Sequence, residues 1–251
     1  MLTEQRKQAI LALLAQEGQV FSGELSQRYD VSEDTIRRDL RELAAEGKLQ
    51  RVHGGALPAS RAAAGFAERV PIESASKRAL AAGAARMIAP GQVVLLDGGT
   101  TALTLARLLP ADLNATVVTH SPNVAVALVD HPGIEVVLIG GKLYKHSIVS
   151  VGSAALEALA PIRADLFFMG VTGVHPSAGF STGDLEEAYM KRALAAHAAE
   201  TVVLASAEKL HTASRYRIGG LEMASAILVE ADTDEALLAP LRNAGGNVVS
   251  T

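Results

Sequence analysis

Along the first 57 residues, apolar positions recur at helical spacing. Ile10, Leu13 and Leu14 form the first such set, and Gly18 closes it. Ser22 can cap a short second helix that carries Leu25 and ends near Tyr29. Ser32 can cap a third, with Ile36, Leu40 and Leu43 on one face and Gly47 at its end. LQRV, followed by HGGA, then reads as a strand and a tight glycine turn. From Pro58 the texture turns to alanine, serine, arginine and proline, which suits a connecting arm. Beyond it, short aliphatic runs alternate with alanine-rich segments of helical length. The runs are VVLLD (93–97), TVVT (116–119), EVVLIGG (135–141), DLFFMG (165–170), TVVLAS (201–206) and AILVE (226–230). Continuous aliphatic strands between helices predict a mainly parallel sheet covered on both faces. The expected fold class is α/β, with a mostly α winged helix-turn-helix over 1–57, an arm over 58–76 and a Rossmann-like α/β domain over 77–251.

Composition narrows this. The 251 residues are 49% hydrophobic, enough for a substantial core, and contain no cysteine. Disulfide frameworks, thiolate metal sites and cysteine nucleophiles are thereby excluded. The apolar run from Ala9 to Ala15 is bracketed by charge and lacks a cleavage pattern, and no run approaches the ~20 residues of a membrane span. A cytoplasmic protein with no membrane partner is expected.

The formal net charge of −4 argues against a generally basic nucleic-acid binder, so what matters is where the charge lies. Residues 1–57 hold eight Lys/Arg against nine Asp/Glu, a net of −1. From Thr35 to His53, Arg37, Arg38, Arg41, Lys48 and Arg51 outnumber Asp39, Glu42 and Glu46, five against three. With Ile36, Leu40 and Leu43 buried, Arg38 and Arg41 point outward and Arg37 flanks them. A helix presented this way can enter a major groove, its arginines reaching guanine edges or phosphates. Ser32 and Thr35 at its first turn, and Arg51 and His53 in the wing, complete the candidate DNA-contacting set. The blander alternative is a solvated face whose arginines pair with neighbouring carboxylates on the same helix.

In the larger domain, Asp97-Gly98-Gly99-Thr100-Thr101 follows a strand and opens a helix. Glycines let the backbone approach an anion, and the helix terminus and two hydroxyls supply donors, an arrangement suited to phosphate. It is neither a Walker A loop nor GxGxxG. Other strand ends can converge with it on one cleft: Thr119-His120, Gly140-Gly141 and the turn from Gly170 to Gly173. Charged candidates are Lys77, Glu187, Lys191 and Lys209, with Glu187 and Lys191 equally readable as a plain i,i+4 helix pair. His120, His146 and His175 are candidates to meet in the cleft, but their spacing is not that of metal ligands, so neither a metal nor a cofactor is expected.

The stretch VSEDTIRRDLRELAAEGKLQRVHGGA resembles the N-terminal signature of the DeoR family of bacterial transcriptional regulators, in VS..TIRRDL, the L..G.L spacing and RVHGGA. Residues from about Lys77 to Lys209 are similar to that family's effector-sensing domain, whose fold resembles ribose-phosphate isomerases. Lys77, DGGTT, Thr119, Gly140-Gly141, the GVTG turn and EAYMK (187–191) match in order. Two positions depart: His120 stands where the family usually has asparagine, and Ser206 where it often has aspartate. The resemblance implies a repressor of a carbohydrate operon, working as a dimer or tetramer on double-stranded operator DNA and controlled by a phosphorylated sugar or polyol. The rival is an isomerase-like enzyme with Glu187 or Asp97 as base and Lys191 or Lys209 as cation, a reading that Ser206 weakens.

Overall fold

The computed structural model describes residues 2–60, 66 and 75–251. The N-terminal module packs helices α1 (Thr3–Glu17), α2 (Ser22–Tyr29) and α3 (Glu33–Ala45) against a small antiparallel sheet. That sheet has the order β1 (Val20–Phe21), β3 (Gly55–Pro58), β2 (Leu49–Val52). Ile10, Leu14, Leu25, Ile36, Leu40 and Leu43 form its core, as the spacing predicts. Gly18, at φ 73°, ends α1 in the left-handed conformation. Ser32 caps α3 by accepting the Thr35 N–H at 3.2 Å.

Ser22 behaves differently from expectation. It is the first residue of α2 rather than its cap, and its N–H is donated to the Gly54 carbonyl at 2.7 Å. The cause is β1, a two-residue strand too short to read in the sequence, which runs straight into α2. A Cβ at Gly55 would lie 1.9 Å from the Val20 carbonyl oxygen, so only glycine lets β3 pair this closely with β1.

The larger domain opens with α4 (Ala75–Ala85), two residues inside the stretch assigned to the arm; 61–65 and 67–74 of that arm lie outside the described residues. Its seven-stranded sheet comprises β4 (Val93–Leu96), β5 (Ala115–Thr119), β6 (Ile134–Leu138), β9 (Ala164–Gly170), β12 (Ala198–Leu204), β14 (Ala226–Val229) and β15 (Val248–Ser250). The order is β15-β14-β12-β9-β4-β5-β6, and every pairing is parallel. Helices α4, α5 (Thr100–Arg107) and α6 (Pro122–Ala127) cover one face, and α7 (Ser153–Leu159), α8 (Leu185–Ala196) and α9 (Glu235–Asn243) the other. Successive residues divide between the two cores: Phe167 and Met169 enter one, Leu166 and Phe168 the other.

The chain builds β4, β5 and β6 toward one edge, then returns to place β9 on the other side of β4. The carboxyl ends of β4 and β9 therefore flank a topological switch point, where open α/β sheets hold ligands. Two short antiparallel units are built from the connections that leave this end. One is the hairpin β7 (Lys142–Tyr144) with β8 (Val149–Val151); the other is β10 (Gly173–His175), β11 (Gly179–Thr182) and β13 (Tyr216–Gly219). Among the described residues, no helix is long and apolar enough to cross a membrane.

Candidate functional site

On the N-terminal module the outward face of α3 carries Arg37, Arg38 and Arg41, all exposed. Arg37 is held by Glu33 at 2.7 Å and Asp34 at 3.1 Å, so for this residue the solvated-pair alternative describes its state. Among the described residues Arg38 and Arg41 make no hydrogen bond or ion pair and extend from the helix. Ser32 and Thr35 bond to each other at 3.0 Å at the helix start, and Arg51 and His53 are exposed on the wing.

Asp39 is the exception on α3. It is fully buried and takes a bidentate fork from Arg6 of α1, at 2.5 and 3.1 Å. The fork raises the pKa of Arg6. With Asp39 removed from the surface, five cationic residues against three acidic ones between Thr35 and His53 becomes five against two. The exposed face is more basic than the sequence count implies.

At the switch point, Asp97 is 0% exposed and both its oxygens are occupied. Oδ1 accepts the Gly98 N–H at 2.7 Å and faces His120 Nε2 at 2.8 Å. Oδ2 accepts the Gly170 N–H at 2.8 Å and the Lys191 ammonium. Burial opposes the charge on this carboxylate, but Lys191 and His120 outweigh it and hold its pKa well below the usual carboxylate range. The other ring nitrogen of His120, Nδ1, lies 2.9 Å from the Ser150 carbonyl. Both ring nitrogens thus lie beside oxygen atoms.

In front of this cluster the chain turns into α5. Gly99 takes φ 99° at its N-cap, and a Cβ at Gly98 would meet Val149 Cγ1 at 2.1 Å. Glycine therefore admits both the hairpin and the turn, while Thr100 and Thr101 begin the helix with their N–H groups unclaimed by its own ladder.

The structure gathers Asp97, Gly98, Gly99, Thr100, Thr101, His120, Gly170, Glu187 and Lys191 into one region. The i,i+4 pair of Glu187 with Lys191 does not form: Lys191 turns to Asp97, and Glu187 accepts the Thr182 hydroxyl at 3.1 Å. The remaining candidates are placed elsewhere or otherwise engaged. Thr119 donates its hydroxyl to the Leu96 carbonyl at 2.7 Å, Gly173 packs on the Thr212 backbone, and Gly140 and Gly141 are exposed beyond β6. Lys77 lies in α4, and Lys209 in the turn after β12; each is half-buried and paired. Ser206 bonds Glu208 at 3.3 Å. The three histidines do not meet: His146 stacks on Tyr144, and His175 lies edge-on to His211 with ring centroids 6.3 Å apart.

A winged helix-turn-helix with a basic reading face, joined to an α/β domain with a polar cluster at its switch point, defines a DNA-binding transcriptional regulator. Residues 6–62 match the DeoR-like helix-turn-helix domain and residues 72–231 the DeoR C terminal sensor domain. The chain belongs to the DeoR family. The HTH-type transcriptional regulator GlpR of Haloferax volcanii is 33% identical over 251 residues, covering 99% of this chain and 98% of that protein. The glycerol-3-phosphate regulon repressor of Escherichia coli K12 is 30% identical over 232 residues, 92% of each chain. Among solved structures, ribose 5-phosphate isomerase A of Methanocaldococcus jannaschii aligns at a TM-score of 0.37 and 19% identity, over 51% of this chain and 50% of that one.

Proposed function

We propose that this regulator is an oligomeric repressor of carbohydrate genes whose hold on its operator is set by a phosphorylated sugar or polyol bound at the switch point. The observation that carries this is the Asp97 cluster, an ammonium and an imidazole on one buried carboxylate directly behind the start of α5. A phosphate at that helix terminus gains from free N–H groups, from the helix dipole (about 0.3–1 kcal/mol) and from the Lys191 ammonium in the cluster behind it. The name of the glycerol-3-phosphate regulon repressor, a relative over nearly its whole length, fits the same chemical class.

A short path, two hydrogen bonds joined by residues 170–172, links that cluster to the DNA-reading module. Gly170 donates to Asp97, and two residues on, the Thr172 carbonyl accepts the Ser60 hydroxyl. Around it, Pro58 and Ser60 bond Ala213 at 3.1 and 3.3 Å, and Pro58 is the last residue of the wing strand β3. A ligand that moves the ends of β4 and β9 therefore acts on the root of the wing. For the enzyme alternative, Asp97 is saturated, inaccessible and strongly stabilised as the anion, a poor base, which leaves Glu187 alone for that role.

The test is a melting screen of the full chain against phosphorylated sugars and polyols, each beside its unphosphorylated parent, followed by operator titration with any hit. The expected ligand stabilises the protein, by about 2.7 kcal/mol at a hundredfold excess over its Kd. It changes operator affinity by roughly 5- to 150-fold. If every phosphorylated compound leaves both readings unmoved, the proposal fails.

A further inference from the structure

Glu187 is a buried carboxylate that the Asp97 cluster leaves unused. It is 6% exposed, and its Oε2 accepts a hydroxyl from Thr182, itself 1% exposed. Among the described residues its Oε1 has no hydrogen-bond partner, and no cation reaches the group. That second oxygen is not among the buried side-chain atoms left without a partner, so it is open to solvent and to a donor arriving from there.

The surroundings identify what would arrive. On the hairpin, Tyr144 is in register with Val149, and directly opposed residues share a face. Val149 is the side chain pressed against Gly98, so Tyr144 stands on the hairpin face turned to the DGGTT loop. Burial, and after it Asp184 and Glu187, raise the Tyr144 hydroxyl above its ordinary pKa, which places the ring within electrostatic reach of Glu187. The region thus has two poles on one helix. Lys191 belongs to the Asp97 cluster, and Glu187, one turn earlier and about 5–6 Å away, heads an anionic end with neutral hydroxyls beside it.

We propose that Glu187, steadied by Thr182 and facing Tyr144, is the specificity residue of the effector site, accepting hydrogen bonds from a hydroxyl at the end of the effector remote from its phosphate. The assignment rests on the phosphorylated-effector reading above. It defines the effector as a singly phosphorylated neutral sugar or polyol. A second anionic group at the remote end would meet the Glu187 carboxylate with like charge, so sugar-acid phosphates and bisphosphates are rejected.

Calorimetric titration of the full chain with matched pairs tests this: glycerol 3-phosphate beside 3-phosphoglycerate, glucose 6-phosphate beside 6-phosphogluconate, and fructose 6-phosphate beside fructose 1,6-bisphosphate. In whichever pair binds, the hydroxyl-ended member is expected to be tighter by about tenfold or more. Glu187→Gln, whose amide offers a donor to an incoming carboxylate, should narrow that ratio severalfold. The wild-type ratio carries the test even if the variant folds poorly. Equal or tighter binding of the acid-ended member overturns the role of Glu187 and leaves the phosphate site standing. No binding by any phosphorylated compound overturns both.

Discussion

Replacing Asp97 with asparagine separates a structural ion cluster from an incidental contact. The carboxylate receives four donors, two on each oxygen. An amide of the same shape can satisfy only one side. Whichever way it is turned, its NH2 faces either the Gly98 N–H and His120 or the Gly170 N–H and Lys191. Lys191, 5% exposed, then carries a charge with no carboxylate against it. Removing one member of a buried pair costs about 3–5 kcal/mol. A domain of this size loses roughly 2–4 °C of melting temperature per kcal/mol, so Asp97→Asn should melt roughly 6–20 °C lower. Adding Lys191→Met should restore much of the loss, because exchanging both partners for neutral groups is often close to neutral. Urea unfolding of wild type, both single variants and the double variant gives the coupling directly. The folded-state pKa of Asp97 lies below its unfolded value of about 4, so its contribution is complete above that value and disappears as pH falls through the lower one. In that acid window Asp97→Asn should flatten the stability curve. A loss under about 1 kcal/mol, or single effects that add within about 0.5 kcal/mol, would refute the reasoning.

Two further outcomes follow from the geometry. Arg38→Ala should weaken operator binding by about 1–3 kcal/mol, whereas Arg37→Ala, which removes a guanidinium already committed to Glu33 and Asp34, should cost less; fluorescence anisotropy with a labelled operator ranks them, and equal losses would contradict the placement. His175 is held neutral, its pKa lowered to about 4 by burial and by His211. The unfolded chain takes up that proton first, near the ordinary value of about 6.5, so stability should fall as pH drops from there toward 4. His175→Gln should remove that slope in urea melts taken across the interval.

Periodicity made the N-terminal module legible because its core is local: Ile36, Leu40 and Leu43 lie within two turns of one helix. The central strands were legible for a related reason, since a strand buried on both faces reads as an unbroken aliphatic run. β1, β7, β10 and β15 have two or three residues each, too few for any period to register. The site was half legible. DGGTT announces itself by glycine and threonine, but the partners of Asp97 come from 23, 73 and 94 residues away. No spacing rule reaches that far, so Lys191 reads as the neighbour of Glu187 rather than the counter-ion of Asp97. Asp39 was misjudged in the same way, its partner Arg6 lying 33 residues upstream on another helix.

The bonds of Pro58 and Ser60 to Ala213 bear on how such regulators diversify. Ala59 pairs with Ala213 as one parallel bridge, so the wing strand is spliced into the sensor by main-chain contacts that any sequence can make. Thr172 adds one side-chain bond, from Ser60. A reader taken from a relative and joined after residue 60 carries its own docking strand with it. One joined after residue 57 relies on the docking residues already on the sensor and divides β3 between Leu57 and Pro58. Because the bonds to Ala213 are main-chain ones, a reader exchanged at either junction stays docked on the sensor.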